Sequence, residues 1–397
     1  MVAASIAHLS FSRTGGAGGV ASRLANLQRQ RGHDAYVVSA ISGSLRDAPL
    51  TQPRHTAAAV WDERVARASG FTAPISLARD SLQVNIADQL AGADIIHVHW
   101  TNGLIAVDQL ADIAGTRPVV WTLHDMNAFT AVCHYSLGCR GFTSGCSQCP
   151  AVRNAFHHSA TRHLASKKSA LSAFHDLRIV TPSAWLAEEA ATSEALFGYQ
   201  VTTIPNPLEE VDEPPPSFEE ARSQLGISAS VTSVFALSAS HLGDPLKAVA
   251  TATAAFSEAF AGSEDVLLIV TGRGSLPHHS QIRQMGYVSS GISRTIFAAS
   301  DYLLVPSLAE NQPLVIAEAQ AQGASVIGRN VTGVPEHLDI DPSGRLFDSD
   351  ESLAIVLSDA SSMLPSPAQR GVLAQKAREK FSGERAMKAY ERIYGLS

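Results

Sequence analysis

Short apolar runs alternate with longer amphipathic stretches from one end of the chain to the other. Strand-like runs fall at 2–9, 35–40, 94–100, 118–125, 178–183 and 201–207, and again at 231–238, 266–272, 301–306 and 324–328. Runs of this length, rich in Val and Ile and bounded by Gly, Pro and Asp, read as buried strands. Helical stretches lie between and after them: 20–31, closed by Gly32; a basic stretch at 151–175; and 367–380, followed by a terminal segment at 384–395. Strand and helix in alternation predict α/β architecture with parallel sheets. The stretch Glu209–Phe218 is acidic, carries three consecutive prolines and reads as a linker. The pattern therefore predicts two similar α/β domains joined near 205–222.

Composition agrees. A chain of 397 residues is longer than one ordinary core supports. A net charge of -7 with a pI near 6.1 argues against a general nucleic-acid binder. No apolar run approaches the ~20 residues that span a bilayer. Val2–Leu9 reads as a first strand and not as a signal peptide, so a cytoplasmic protein is expected. All four cysteines, Cys133, Cys139, Cys146 and Cys149, fall in one short loop. Such clustering in a cytosolic chain favours a tetrahedral zinc site, with two disulfides or free thiols as the other readings.

The sharpest chemical signal is the segment from Ser307 to Ala319, where Glu310 and Glu318 stand eight positions apart around Pro313. Pro suits a first helical position, so a helix is expected from Pro313 to near Gly323, with Glu310 in the loop before it. A carboxylate in so apolar a segment needs hydrogen-bonding partners, and a polyhydroxyl ligand supplies them. Two solvated glutamates on a surface helix are the plainer reading. Gly16-x-Gly18-x-x-Ala21 formally matches the dinucleotide fingerprint, but it does not follow its strand tightly and no acid ends the second strand. Its glycines suit a close backbone approach to a diphosphate, or simply a turn. His124 ends a strand where ligands gather. His97 and His99 are expected on opposite faces of theirs. Lys247 stands where a strand-to-helix loop brings a cation to a site. Asp339-Ile340-Asp341, the one Asp-x-Asp spacing, is expected in a surface turn, so no catalytic metal is expected. The basic run Arg153, Arg162, Lys167 and Lys168 with His157, His158 and His163 reads as a solvated face, or as a contact for anionic phospholipid or a lipid-diphosphate acceptor.

Taken in order, these motifs resemble the retaining GT-B glycosyltransferases of family 4, and within them the cysteine-loop subset of capsule and exopolysaccharide enzymes. The resemblance rests on the glycine loop with Arg31-Gly32-His33-Asp34, the Asp94–His99 strand, Thr122-Leu123-His124-Asp125, Ile204-Pro205-Asn206-Pro207, the Glu310/Glu318 spacing and Gly333-Val334-Pro335-Glu336. It implies two Rossmann-like domains facing a cleft: an acceptor-binding domain at 1–204, a nucleotide-sugar domain at 205–380, and a terminal helix at 381–397 packing back on the first. It further implies Glu310 on the transferred sugar, Glu318 on the ribose, Lys247 on the diphosphate and His124 beside the reacting sugar. Gly16, Gly18, His241, Asn311, Gln312, Pro313, Leu314 and Val315 would complete the donor site. Two departures stand out. His241 occupies the place of a usual Arg, so either a bound diphosphate raises its pKa or another cation such as Arg13 or Arg273 helps; and Ala248 replaces the usual Gly after the lysine. The implied reaction moves a sugar from a nucleoside-diphosphate sugar to a saccharide or lipid-linked acceptor. A sugar-nucleotide epimerase and a non-catalytic partner module share the architecture.

Overall fold

The computed structural model describes residues 3–40, 64–76, 86–210 and 214–396. Val2 of the expected first strand and residues 211–213 of the expected linker lie outside these. The chain divides into two compact units, one made of Met1–Pro207 with Gly383–Ser397, the other of Leu208–Ser382.

The first unit is built on a six-stranded parallel sheet in the order β2-β1-β3-β4-β5-β6. Its strands are β1 (Ser5–Ser10), β2 (Asp34–Val38), β3 (Ile95–Trp100), β4 (Val119–Thr122), β5 (Leu177–Thr181) and β6 (Val201–Thr203). Residues of β1, β3 and β4 are buried almost without exception, as strands covered on both faces must be. The chain steps from β1 outward to β2, then returns to β3 on the other side of β1. That reversal makes the carboxyl ends of β1 and β3 the switch point of the sheet, where open α/β sheets bind ligands.

Three boundaries differ from expectation. The first helix runs Gly15–Gln30 and starts five residues before Val20, so the glycines form its opening turns. At Gly18 a side chain would stand 2.1 Å from the Ser12 carbonyl, so the helix start lies directly against the preceding loop. Gly16 faces open space. β4 ends at Thr122, which places Leu123, His124 and Asp125 beyond the sheet. The basic stretch forms a shorter helix than expected, His157–Ser172.

The terminal helix Gly383–Tyr394 belongs to the first unit. Its Met387, Tyr390 and Tyr394 are buried, and its Glu391 accepts from Arg31 at 2.8 Å at the end of the first helix. The helix brings two phenol groups underneath the sheet, where the site below makes use of them.

The second unit repeats the theme in the order β12-β11-β10-β7-β8-β9. Its strands are β7 (Ser233–His241), β8 (Val266–Arg273), β9 (Ile282–Gly286), β10 (Tyr302–Val305), β11 (Ser325–Arg329) and β12 (Arg345–Phe347). The chain moves from β7 out to β9, crosses back to β10 and moves out to β12, so the switch point lies between β7 and β10. β9 and β12 had no sequence signal. Both are edge strands, and their partly exposed residues carry no continuous apolar run. The expected surface turn at Asp339–Asp341 is also corrected. Asp341 is 3% exposed and accepts from the Val326 backbone at 2.8 Å, fixing the loop to β11. Burial holds its carboxyl above the ordinary range.

Candidate active site

In the second unit the two loops leaving the switch point carry the predicted charges. After β7, Asp244 caps a short 3-10 turn, Pro245–Lys247, by accepting from Leu246 N at 2.9 Å. After β10, Leu308 N donates to Leu246 O at 2.8 Å and locks the second loop to the first. This brings the Lys247 ammonium to 2.5 Å from a Glu310 carboxylate oxygen. Glu310 is only 8% exposed. A buried carboxylate needs such a partner, because an uncompensated charge there is strongly destabilising.

A third loop clamps the same residue. Thr332, at a positive φ of 50°, accepts from Glu310 N at 2.8 Å and donates to Glu310 O at 2.6 Å. Gly333 N donates to the same carbonyl at 2.9 Å. A Cβ at Gly333 would lie 1.6 Å from Asn311 O, so only glycine lets the two backbones touch. Asn311, Gln312 and Pro313 are buried; Leu314 and Val315 are half-buried where the helix Leu314–Gln320 begins. Pro313 is the residue before that helix and not its first member. Glu318 is half-buried on the helix, and Gly323 follows its end at φ 87°.

The two departures from the resemblance acquire geometry. Ala248 adopts the left-handed conformation, φ 47° and ψ 35°, which explains why glycine suits the position. His241 pairs in register with Arg273 across β7 and β8, so an exposed guanidinium stands beside it at the strand ends. The Arg273 guanidinium lies 4.4 Å over the Tyr287 ring.

In the first unit, His124 and Asp125 lie just past β4 and line a cavity of about 140 Å³ with His99, Trp100, Trp121 and Lys167. Asp125 accepts from His134 at 2.6 Å and from Asn127 N at 2.8 Å. Lys167 is no part of a solvated basic face. It is buried and donates to the backbone carbonyls of Asn127, at 2.5 Å, and Thr130, at 3.0 Å. Burial lowers its pKa to about 8. Of the other basic side chains in that stretch, Arg153 is engaged with the Arg64 and Arg67 carbonyls and Lys168 pairs with Glu194 at 3.2 Å.

Behind His124 the structure shows a buried histidine network that the sequence did not reveal. His97 and His99 share one face, as a period of two requires, and their ring centroids are 4.2 Å apart. The expectation of opposite faces was wrong. His8 joins them from β1, its strand neighbour. His8, His97 and His99 are the one group of three or more metal-capable side chains, among the described residues, whose ligand atoms all lie within 4.8 Å of one another. Their ring nitrogens are all engaged, with Gln28, Thr122, Tyr394, His124 and one another. A neutral imidazole has one lone pair, and here each is already accepting a hydrogen, so the trio is satisfied as a hydrogen-bond network. Burial pushes His8 and His124 down to about 4, and His97 and His99 well below their ordinary value. The missed signal was the i, i+4 pair Tyr390 and Tyr394, which puts two phenols on one helical face.

The four cysteines are free thiols in this structure. Cys133, Cys146 and Cys149 are buried, and Cys139 is half-buried. Burial pushes the Cys133 thiol up to about 12 and Cys146 to about 11. Gly141 N donates to Cys139 Sγ at 3.3 Å, and Cys146 sits at a positive φ of 54°. No helix among the described residues is long and apolar enough to cross a membrane.

Residues 14–210 match the model of Glycosyltransferase Family 4, and residues 234–360 that of Glycosyl transferases group 1. The putative colanic acid biosynthesis glycosyl transferase WcaC of Escherichia coli K12 is 33% identical over 63 residues, 15% of this chain and 16% of that protein. The matched stretch is thus about a sixth of that relative's length. Among solved structures, Anabaena Alr3699/HepE in complex with UDP and glucose superposes with a TM-score of 0.63 at 16% identity, over 99% of this chain and all of that one. WaaG, a glycosyltransferase involved in lipopolysaccharide biosynthesis, gives 0.59 at 18% identity, over 98% of this chain and 99% of that one. The fold is GT-B.

Proposed function

We propose that this chain, a family 4 glycosyltransferase domain followed by a group 1 glycosyltransferase domain, moves a sugar from a nucleoside-diphosphate sugar to a saccharide or lipid-linked acceptor. The reading rests chiefly on the Lys247–Glu310 pair at the switch point of the second unit, with Glu318 on the helix that follows. A cation held at 2.5 Å by a carboxylate is positioned in advance of its ligand. When a diphosphate binds, Lys247 can neutralise charge as the sugar–phosphate bond breaks, while Glu310 meets the hydroxyls of the sugar. Arg273 beside His241 would take the place of the expected arginine on the phosphates. The structure of HepE with UDP and glucose supports a nucleotide-sugar donor.

In this reading the product retains the anomeric configuration of the donor. The C1–phosphate bond breaks, the acceptor oxygen bonds to C1 on the same face, and the acceptor proton passes to the leaving phosphate oxygen. His124 and the cavity beside it would serve the acceptor unit. Lys247 supplies the charge stabilisation, so transfer needs no catalytic metal. The name of WcaC, a putative colanic acid biosynthesis glycosyl transferase, favours polysaccharide assembly; a place on the cytoplasmic side of the membrane, with the 151–175 segment as its contact, belongs to the same proposal. The four cysteines would hold a structural zinc in thiolate form. Their shared loop supports it, although their sulfurs are not drawn into one group as the histidines are. Total metal analysis of protein never exposed to chelator tests that part, with about one zinc per chain expected.

The test of the main reading is a thermal-shift panel of UDP, GDP, ADP and dTDP sugars. A donor at a hundred times its Kd stabilises by ~2.7 kcal/mol. Product from the responding donor is then assigned by the anomeric proton coupling in NMR. Stabilisation by no nucleotide sugar would overturn the transferase reading. Turnover of donor without acceptor would point to an epimerase.

A further inference from the structure

Ser76 and His134 take no part in the transferase reading, yet with Asp125 they form a connected row of side chains. Asp125 Oδ2 accepts from His134 Nδ1 at 2.6 Å, and His134 Nε2 lies 2.8 Å from Ser76 Oγ. An ionised carboxylate can only accept, so the ring carries its proton on Nδ1 and the neutral imidazole keeps a lone pair on Nε2. The Ser76 hydroxyl is therefore the donor to that lone pair. Hydroxyl, imidazole and carboxylate joined in this order are the nucleophile, base and orienting group of acyl-transfer enzymes. That constellation is recognised by geometry and roles, and it recurs on unrelated folds.

The row is held from several sides. The second oxygen of Asp125 accepts from Asn127 N at 2.8 Å. Met126 N donates to His134 O at 3.0 Å, which ties the same two stretches together through the backbone. The Trp100 ring stacks on the imidazole, with centroids 4.9 Å apart and planes 13° from parallel, and holds the imidazole in line. Ser76 arrives from a separate segment. Its N–H donates to Val132 O at 2.8 Å and His134 N–H donates to Pro74 O at 3.0 Å, around an antiparallel bridge between Ile75 and Cys133. Ile75, Cys133 and the His134 ring are buried, whereas Ser76 is half-buried. A base kept from bulk water beside a hydroxyl that water can reach is the distribution nucleophilic catalysis uses. Asp125 and Trp100 also line the cavity of about 140 Å³, so the row stands at the wall of a recess.

We propose that Ser76 is a nucleophile that takes the acyl group of a carboxylic ester, with His134 as its general base and Asp125 as the residue that orients the ring. A bond forms between Ser76 Oγ and the carbonyl carbon while the hydroxyl proton passes to His134 Nε2. The ester C–O bond then breaks, and the departing alcohol oxygen takes that proton. Water releases the acid from the acyl-serine by the same route, its proton passing to His134 Nε2 and then to Ser76 Oγ. Asp125 stabilises the imidazolium formed between the two proton transfers. The inference does not depend on the transferase reading.

A fluorophosphonate tests it on the full-length protein, because Ser76 Oγ would displace fluoride and leave a stable phosphonyl-serine. Intact mass followed by peptide mapping is expected to show one adduct, on Ser76, and none in Ser76→Ala. In Asp125→Asn and His134→Gln the labelling rate should fall by ~10²–10⁴-fold, the range of a general-base contribution. Protein unfolded in urea should label no faster than those variants. A folded wild type that takes no adduct, or takes it on another residue, overturns the proposal, and so does equal labelling of native and urea-unfolded protein. These outcomes decide it even if neither variant folds. A folded Asp125→Asn that labels at the wild-type rate overturns it as well. Failure leaves the transferase reading intact, because that reading is decided by nucleotide-sugar stabilisation.

Discussion

Glu310 and Glu318 are both carboxylates at one switch point, yet their surroundings differ. Glu310 is clamped by Thr332 and Gly333 and paired with Lys247, whereas Glu318 sits half-buried one helical turn further on. Glu318→Ala should therefore weaken the bare nucleoside diphosphate, whose ribose remains after transfer. Glu310→Ala should damage turnover more than nucleotide affinity. Lys247→Ala should do both, with a loss of ~2–4 kcal/mol in transition-state stabilisation, the scale for one preorganised charge donor. Calorimetry with nucleotide beside initial rates separates the three, and equal nucleotide affinity in Glu318→Ala and wild type would sink the ribose assignment. Ala248 gives a cleaner test of conformation alone. Its φ of 47° is costly for any residue with a Cβ, so Ala248→Gly should stabilise the second unit by about 1 kcal/mol. A lower midpoint in urea for the glycine variant would contradict that.

At the level of elements, the helix after the first strand, the loop before Glu310 and the α/β alternation were legible because each leaves a local mark: glycines, a Pro, short apolar runs. β9 and β12 were not, since an edge strand is covered on fewer sides and needs no continuous apolar run. The histidine network was illegible for another reason. His8, Gln28, His97 and Tyr394 meet from four separate elements, and only the folded sheet and the docked terminal helix bring them together. The backbone contact at Gly333 was likewise hidden, although the residue itself was part of the recognised motif. Gly333→Ala must push the Thr332 loop off Asn311, where a Cβ would be 1.6 Å from a carbonyl oxygen. We expect folded protein, by circular dichroism, whose nucleotide-sugar stabilisation is lost. Undiminished stabilisation would mean that the clamp does not shape the donor loop. In the cysteine loop, Cys149→Ser should abolish any bound zinc while sparing nucleotide binding by the other unit, as measured by metal content and thermal shift on one sample.

For the whole molecule, the neutral buried histidines make stability depend on acid. His8 and His124 have folded pKa values near 4, and His97 and His99 lie well below the ordinary 6.5. Their contribution is fully present above pH 6.5 and is lost as pH falls toward 4, because the unfolded chain takes up protons that the folded one refuses. Each such histidine adds ~1.4 kcal/mol per pH unit to the slope within that window. Urea unfolding of the first unit between pH 6.5 and 5, where most carboxylates stay ionised, should show a steep fall. A flat profile there would mean that the rings are not buried neutral.

The chain leaves the first unit at Pro207 and comes back to it only at Gly383. Near the two ends of the excursion, Leu208 N donates to Phe381 O at 2.8 Å, so the second unit closes on itself. Made from its amino end, such a chain has every residue of its second unit joined before the last helix of the first is added. Until that helix emerges, His97 has no Tyr394, Thr122 has no Tyr390 and Gln28 has lost half of its amide's partners. A chain ending before Gly383 would hold every residue of the second unit and lack the helix that completes the floor of the first sheet.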